Sequence, residues 1–172
     1  MPTLIPVLEK DHIEKLVGNI ALRISADYQG HELILIGILK GSFVFLSDLI
    51  RRISIPVQID FISAASYQKG TCSSGNIQLT KTLDIDIEGK DVLVVEDIID
   101  TGLTVSYCMD YLRSFHPNTL KLCVMVDKYE RREKKVTVDY ACHKTGEGFL
   151  VGYGLDYNQR YRELSGIYRL KF

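Results

Sequence analysis

The sequence lacks several features that would define a function by themselves. Its four cysteines, at positions 72, 108, 123 and 142, form no C-x-x-C pair, which excludes a metal knuckle and a redox dithiol. The densest apolar run, Leu33 to Leu39, ends at Lys40, far short of the ~20 residues of a membrane span. The amino-terminal stretch has early acidic residues and no secretory signal. We therefore expect a cytoplasmic protein with reduced thiols and no membrane partner.

The sequence also has no marked excess of positive or negative charge. The chain has 21 basic and 22 acidic side chains, a net charge of −1, so it offers no global positive field to nucleic acid. Any polyanion must be held locally. With 172 residues, 46% hydrophobic and 25% charged, the composition is that of a globular protein, and we expect one domain spanning residues 1–172.

Strand and helix patterns alternate along the chain. Asp11 to Asp27 and Phe43 to Arg52 have the apolar spacing of amphipathic helices. Leu33 to Leu39, Lys90 to Val95 and Leu120 to Val126 are typical of strands that are buried on both faces. This alternation predicts an α/β domain with a mainly parallel central sheet flanked by helices, and with ligand sites at the carboxyl ends of its strands.

Two stretches depart from this alternation. After a short strand at Val57 to Phe61, the segment from Ser63 to Asn76 is small, polar and without periodicity, which indicates a mobile flap. The tail from Phe149 is rich in glycine and tyrosine before a last predicted strand at Ile167 to Leu170.

The segment from Val94 to Thr104 combines two kinds of chemistry. Glu96, Asp97 and Asp100 supply three carboxylates, which can accept hydrogen bonds from sugar hydroxyls, hold Mg²⁺ or take a proton. The Thr-Gly-x-Thr turn that follows opens a helix, whose free N–H groups and dipole suit a phosphate. A phosphorylated ribose satisfies both halves.

A plainer interpretation makes Thr101 a helix cap and the three acidic residues a solvated turn. We disfavour it, because adjacent like charges at a strand end repel one another unless a cation or a hydroxyl-rich ligand balances them. The sequence contains no G-x-x-x-x-G-K-[ST] pattern, which excludes a Walker A loop.

The segment VVEDIIDTGLT, residues 94–104, resembles the phosphoribosyl diphosphate (PRPP) binding motif of the type I phosphoribosyltransferases in its 6-oxopurine form. Three further segments are similar to this family in the same order: LKGS at 39–42, the flap start Ser66-Tyr67, and VGYGLDY at 151–157 continuing to Arg162. The resemblance covers essentially the whole chain. It implies the type I phosphoribosyltransferase fold, a flap at about 66–76, and a small hood built from the amino-terminal segment and about 149–172.

The resemblance implies a role for each residue of the PRPP motif. Glu96 and Asp97 would bind the ribose hydroxyls, and Asp100 would be the general base that takes the N7 proton of the purine. The turn that would hold the 5′-phosphate consists of Asp100, Thr101, Gly102, Leu103 and Thr104. Leu103 is lysine in some relatives, so backbone contacts would have to suffice there.

Pyrophosphate and metal binding are implied in the same way. Lys40 and Gly41 would form a diphosphate loop, which in the family contains a non-proline cis peptide, and Arg162 would bind the pyrophosphate. Mg²⁺ is the implied cofactor, with Glu96, Asp97 and Asp156 as its protein ligands. Taken alone, Lys40-Gly41-Ser42 is equally an ordinary strand-to-helix turn with Ser42 as the cap.

The purine site follows from the resemblance as well. Lys128 would meet the purine O6 and select a 6-oxo over a 6-amino group, and Asp156 would also line this site. Phe149 would stack on the base, Ile98 would cover its other face, and the Leu150 backbone would meet its edge. The plainer alternatives are that Phe149 is a core aromatic and that Lys128 belongs to a solvated basic run at 128–135, the one place where nucleic-acid binding could reside.

One segment departs from the family pattern. Many relatives read roughly G-F-x-I-P before the stacking phenylalanine, whereas this chain has CHKTGEG at 142–148. The change affects the wall of the base pocket, so the ranking of hypoxanthine, guanine and xanthine stays open. We expect His143 to be structural or exposed.

Taken together, the resemblance implies a purine salvage enzyme that moves the 5-phosphoribosyl group from PRPP to N9 of hypoxanthine and guanine and releases pyrophosphate. It also implies a homodimer or homotetramer. Two alternatives are an RNA-binding regulator that kept the fold, and a phosphoribosyltransferase that prefers xanthine. The net charge of −1 disfavours the regulator, and we expect no nucleic-acid partner.

Overall fold

The protein is described by a computed structural model that covers residues 2–67, 76–146 and 148–171. Within these residues the chain forms strands and helices in a regular alternation. In chain order they are β1 (Thr3–Leu8), α1 (Lys10–Asp27), β2 (Leu33–Leu39), α2 (Phe43–Ile50), β3 (Val57–Tyr67), β4 (Asn76–Lys81), β5 (Asp91–Ile99), α3 (Leu103–Arg113), β6 (Thr119–Lys128), β7 (Tyr140–Thr145), β8 (Phe149–Val151) and β9 (Ile167–Lys171).

A six-stranded sheet forms the centre of the molecule, with the strand order β4-β3-β2-β5-β6-β7. Every neighbouring pair is parallel except β3 and β4. The α/β class with a mainly parallel sheet, predicted from the alternating pattern, is therefore confirmed. The carboxyl ends of β2, β5 and β6 meet at one edge of this sheet, where ligand sites of such folds lie.

Alternation along β2 and β5 divides the core into two layers. Leu35 and Val95 pack with helices α1 and α2 on one face, whereas Ile36 and Val94 pack with α3 on the other. The next two residues of β5, Glu96 and Asp97, are both acidic, and their carboxyl groups lie close enough to interact with each other.

A second, three-stranded sheet joins the two ends of the chain in the order β1-β9-β8. Both pairings are antiparallel, for example Leu4 with Leu170 and Leu150 with Arg169. Leu8, Leu150 and Ile167 belong to the same buried cluster as the α1 and α2 face of the large sheet. The small sheet therefore packs directly onto the main core.

Several strand boundaries differ from the sequence prediction. β5 was expected to end at Val95 but continues to Ile99, because its pairing with β6 extends to Ile99 and Asp127. β3 was expected to end at Phe61 but continues to Tyr67, where Asn76 of β4 pairs with it. Ser66 and Tyr67 thus lie at the end of a strand, and the remainder of the predicted flap, residues 68–75, lies outside the described residues. Among the described helices, none is long and apolar enough to cross a membrane.

Candidate active site

Two neighbouring cavities lie at the carboxyl edge of the large sheet. The first, of about 210 Å³, is lined by Glu96, Ile98, Ile99, Asp100, Thr101, Gly102, Thr104 and Val105. The second, of about 200 Å³, is lined by Asp97, Ile98, Asp100, Lys128, Arg131, Gly148, Phe149, Leu150, Leu155 and Asp156. Ile98 and Asp100 line both cavities. Most residues singled out from the sequence are therefore brought together around a shared wall.

The first cavity ends at the start of α3. Gly102 has a φ of +82°, and a Cβ at this position would lie 2.7 Å from the carbonyl oxygen of Lys134, so the turn requires glycine. The first helical hydrogen bond runs from the Ser106 N–H to the Gly102 carbonyl at 2.9 Å. The backbone N–H groups of the first helical turn have no acceptor within the helix, and they are suited to binding an anion. The other four residues of this turn line the cavity, whereas the Leu103 side chain is exposed.

The acidic pair of β5 is buried with little compensating charge. Glu96 is only 7% exposed, and one of its oxygens accepts a hydrogen bond from the Asp97 N–H at 2.9 Å. Burial, together with the neighbouring Asp97 charge, raises the pKa of Glu96 well above its usual range. Burial also raises the pKa of Asp97, whose carboxylate accepts from the Ile98 N–H at 2.8 Å. Such a pair gains from a cation or from hydroxyl donors.

The loop after β2 closes against this acidic pair. The Leu39–Lys40 peptide bond is cis. A Cβ on Gly41 would overlap the carboxylate of Asp97, and a Cβ on Gly154 would overlap the Gly41 carbonyl oxygen. Ser42 occupies the N-cap position of α2, but its side chain makes no capping hydrogen bond: its hydroxyl is buried and donates to the Ile38 carbonyl at 2.6 Å. The interpretation of this turn as an ordinary serine-capped helix start is therefore wrong.

Two cations approach one neutral acceptor beside this loop. Gln159 Oε1 accepts hydrogen bonds from Lys40 Nζ and from Arg162 Nη2, each at 3.3 Å. Arg162 also pairs with Asp156 at 2.7 Å and donates to the Gly154 carbonyl at 2.6 Å. Sequence reasoning found both cations but missed Gln159. Its one signal, a position between Asp156 and Arg162, is too weak to single out a neutral side chain.

A buried lysine and an exposed aromatic ring line the second cavity. Lys128 is 7% exposed, and its Nζ lies 3.8 Å from Asp100 Oδ2, so its interpretation as a solvated surface lysine is wrong. Phe149 is 47% exposed and meets Tyr157 edge to face at 5.5 Å, so it is not a core aromatic. The other oxygen of Asp100 is buried and has no hydrogen-bond partner among the described residues. This site offers a flat ligand an apolar face, a cationic donor and the Asp100 carboxylate.

The segment after β6 was not assigned to the site from the sequence. Arg131 lies 3.6 Å from Asp100 Oδ2 and lines the second cavity, and Arg132 makes several buried contacts with the strand ends. The basic run suggested only a charged surface. A loop has no regular periodicity, so the sequence does not show which of its basic residues face the site. His143 lies half-buried on β7 beside Val126 and belongs to neither set of lining residues.

The fold and the site together define a class of protein: an α/β protein whose sheet edge places a helix start suited to an anion beside a cavity suited to a flat ligand. The family model described as "Phosphoribosyl transferase domain" matches residues 7–158. The chain belongs to this phosphoribosyltransferase family.

Individual relatives agree over nearly the whole chain. It is 42% identical over 166 residues to the hypoxanthine-guanine phosphoribosyltransferase of Aquifex aeolicus, covering 96% of this chain and 93% of that protein. The corresponding Staphylococcus aureus protein is 41% identical, with coverages of 96% and 92%. A crystal structure of a Bacillus anthracis hypoxanthine-guanine phosphoribosyltransferase superposes with a TM-score of 0.92 at 40% identity, covering 99% of this chain and 100% of that one.

Proposed function

We propose that this protein transfers the 5-phosphoribosyl group of PRPP to N9 of hypoxanthine or guanine, giving IMP or GMP and pyrophosphate. One observation carries the proposal: Asp100 is shared by an anion-binding helix start and by a cavity that holds a buried lysine and an exposed aromatic ring. A carboxylate at that junction can act on a base while the sugar phosphate is bound beside it. The names of the relatives reported above support the same reaction.

PRPP binding is assigned to three parts of the site. Glu96 and Asp97 accept hydrogen bonds from the ribose hydroxyls, and the turn from Asp100 to Thr104 receives the 5′-phosphate through backbone N–H groups. Leu103 brings no charge to this turn, so the helix start supplies the favourable field. Lys40, the Gly41 backbone and Arg162 bind the pyrophosphate.

Mg²⁺ is the cofactor of this proposal. The donors present fit it, because Glu96, Asp97 and Asp156 offer hard oxygen ligands, and the first two have pKa values raised by burial. No group of three or more ligating side chains converges on one point within the described residues. Mg²⁺ is usually held by one or two carboxylates together with substrate phosphates and water, where it neutralises the charge of the leaving pyrophosphate.

Purine recognition is assigned to the second cavity. Phe149 and Ile98 cover the two faces of the base, the Leu150 backbone and Asp156 border its edge, and Lys128 donates to O6. A 6-amino group would present a donor to this donor, so adenine is disfavoured. Lys128 is buried, and rejection of a mispaired donor is stronger where water is excluded.

In the proposed reaction Asp100 is the general base. As N9 bonds to the anomeric carbon and the bond from that carbon to the pyrophosphate oxygen breaks, the Asp100 carboxylate takes the N7 proton. The same negative charge stabilises the oxocarbenium-like sugar. The Asp100 side chain lines the cavity assigned to the base, where it can accept this proton.

The remaining expectations belong to the same proposal. The sheet of β1, β9 and β8 acts as the hood over the base, and the flap at about 66–76, including Ser66 and Tyr67, closes over PRPP and keeps water out. Cys108, Cys123 and Cys142 are free and buried, which supports a reducing, cytoplasmic environment. We assign a homodimer or homotetramer by analogy with the family.

Purified protein incubated with Mg²⁺, PRPP and a panel of bases tests the function. Pyrophosphate release is expected with hypoxanthine and guanine, and not with adenine or uracil. A higher kcat/KM for xanthine would instead favour the second candidate, which Arg131 supports because its guanidinium adds a donor to the cavity. Salt-dependent retention of RNA without pyrophosphate release would contradict the enzyme assignment.

A further inference from the structure

Arg132 joins the carboxyl end of β5, which lines both cavities, to the carboxyl end of β6, which lines the second. Its side chain is 20% exposed and pairs with Asp127 at 2.7 Å. Its Nε donates to the Asp100 carbonyl at 2.9 Å, and its Nη2 donates to the Lys128 carbonyl at 2.9 Å and reaches the Ile99 carbonyl at 3.4 Å. One guanidinium group thus contacts both the end of β5 and the end of β6.

These contacts begin where the sheet ends. The pairing between β5 and β6 ends at Ile99 and Asp127. Asp100 lies beyond it, and Lys128 pairs with Thr145 of β7 instead of with β5. Beyond the ladder, backbone carbonyls need another donor, because a buried carbonyl without a partner is unfavourable. Arg132 supplies that donor to the carbonyl groups of both residues.

The neighbouring backbone strengthens the same connection. The N–H groups of Glu133 and Lys134 both donate to the Thr101 carbonyl at 2.9 Å. A Cβ on Gly102 would lie 3.1 Å from Arg132 Cδ, so the side chain passes closely over the glycine turn. The segment from Arg132 to Lys134 therefore wraps around the turn that opens α3.

We propose that Arg132 is a positioning residue that holds the Asp100 carboxylate in register with Lys128, so that the proton acceptor and the donor to the base meet the same purine. The inference rests on the function proposed above. The planar guanidinium suits this task, because its donors have a fixed geometry that an ammonium group does not reproduce. A misplacement of about 1 Å at a reacting group can lower a rate about 100-fold.

Two variants test the role. Arg132→Lys retains the charge beside Asp127 but not the fork of donors, and we expect kcat with hypoxanthine to fall about 100-fold while the KM for PRPP changes less than about threefold. Arg132→Ala creates a space for free guanidinium, and addition of guanidinium chloride at tens of millimolar should restore kcat at least about tenfold. Sodium chloride at equal ionic strength should not restore kcat. Arg113→Lys, an exposed arginine of α3 paired with Asp110, is the matched control and should keep the rate of the unchanged protein.

A purely structural role would give a different result. The folded fraction of each variant is measured by circular dichroism at the assay temperature, and kcat is expressed per folded molecule. The inference is overturned if kcat per folded molecule stays within about threefold of the unchanged protein, or if guanidinium gives no recovery. Absence of pyrophosphate release from the unchanged protein would instead overturn the proposed function, which separates the two failures.

Discussion

The two ends of strand β5 carry acidic side chains in opposite electrostatic states. At its start, Asp91 is 8% exposed and accepts hydrogen bonds from Asn118 and Thr119 at 2.8 Å each, while His31 Nδ1 lies 2.9 Å away. Burial opposes ionisation there, but the hydrogen bonds from these three residues outweigh it and lower the pKa of Asp91. Five residues further on, burial raises the pKa of Glu96.

The difference separates a structural carboxylate from one that is kept for a ligand. Asp91 stabilises the fold because its charge is fully matched by donors of the protein itself. Glu96 and Asp97 receive mainly backbone donors from their own neighbours, so their charge opposes folding until a ligand brings cations or hydroxyls. A strongly perturbed carboxylate beside a cavity therefore marks the functional end of the strand, and a satisfied one marks the structural end.

The largest effect is expected just beyond the functional end. Asp100→Asn removes the proposed proton acceptor but retains the shape of the side chain, so kcat should fall about 10²–10⁴-fold. PRPP binding, measured by isothermal titration calorimetry, should persist, because the proposed hydroxyl contacts belong to other residues and the phosphate contacts are made by backbone N–H groups, which the substitution leaves in place. If the variant kept most of its rate with hypoxanthine, the assignment of Asp100 would be wrong.

At the structural end, Asp91→Asn should lower stability and leave activity unchanged. Loss of hydrogen bonds to a charged, buried acceptor is expected to cost about 1–3 kcal/mol at neutral pH. In a chain of this size about 1 kcal/mol corresponds to a Tm change of about 2–4 °C. Differential scanning calorimetry measures the shift, and pyrophosphate release provides the activity control.

The pH dependence of the same variant gives a signed test. Because the pKa of Asp91 is lower in the folded than in the unfolded protein, its stabilisation is complete above the unfolded value of about 3.9 and is lost as pH falls through the folded value. The difference in Tm between Asp91→Asn and the unchanged protein should therefore shrink below pH about 4. A difference that stayed constant down to pH about 2 would show that the charge of Asp91 does not contribute.

Glu96→Gln should have the opposite effect on stability. The raised pKa means that ionisation of Glu96 is less favourable in the folded than in the unfolded protein, so stability falls as pH rises from the unfolded value towards the folded one. A neutral isostere should thus raise Tm by about 2–4 °C at pH 7, while PRPP is used less well. The exposed acid Glu88, changed to Gln, is the matched control. A lower Tm for Glu96→Gln would contradict the comparison between the two ends.

The smallest effect is expected at the pair of cations beside the functional end. Gln159→Glu would place a carboxylate between Lys40 and Arg162, where it competes with the pyrophosphate of PRPP. Exposed ion pairs contribute about 0.2–1 kcal/mol each, so KM for PRPP should rise about fivefold with little change in kcat. Asn158→Asp adds the same charge one residue away and controls for the net charge. Equal changes in both variants would show that Gln159 has no specific part.

Much of this architecture was accessible from the sequence. The apolar run at Leu33–Leu39 became β2 with the same bounds, and the alternation of strands and helices led to the correct sheet type. The end of β5 was harder, because acidic residues at 96 and 97 suggest a loop, yet the pairing with β6 continues through them. A long-range partner, which single-residue preferences do not contain, extended the strand.

The site, like the fold, has features that are local in the sequence and features that depend on long-range contacts. The acidic cluster and the glycine turn could be found because neighbouring residues along the chain carry both halves of the chemistry. Gln159 and Arg132 could not be found from the sequence. Gln159 contacts Lys40, which is distant along the chain, and Arg132 contacts a backbone carbonyl, which any residue would supply. The roles assigned to the site residues stay predictions that the variants above test.

By itself, the sequence determined the α/β class, the order of the strands along the chain and the local motif that joins carboxylates to a helix start, because hydrophobic periodicity and glycine turns are local properties. Only the tertiary structure decided which charges are matched. Asp91 and Glu96 are both acidic residues of one buried strand, and nothing in their immediate neighbours separates them. Donors from Asn118, Thr119 and His31 reach one of them and not the other, since the fold brings those residues to the start of β5.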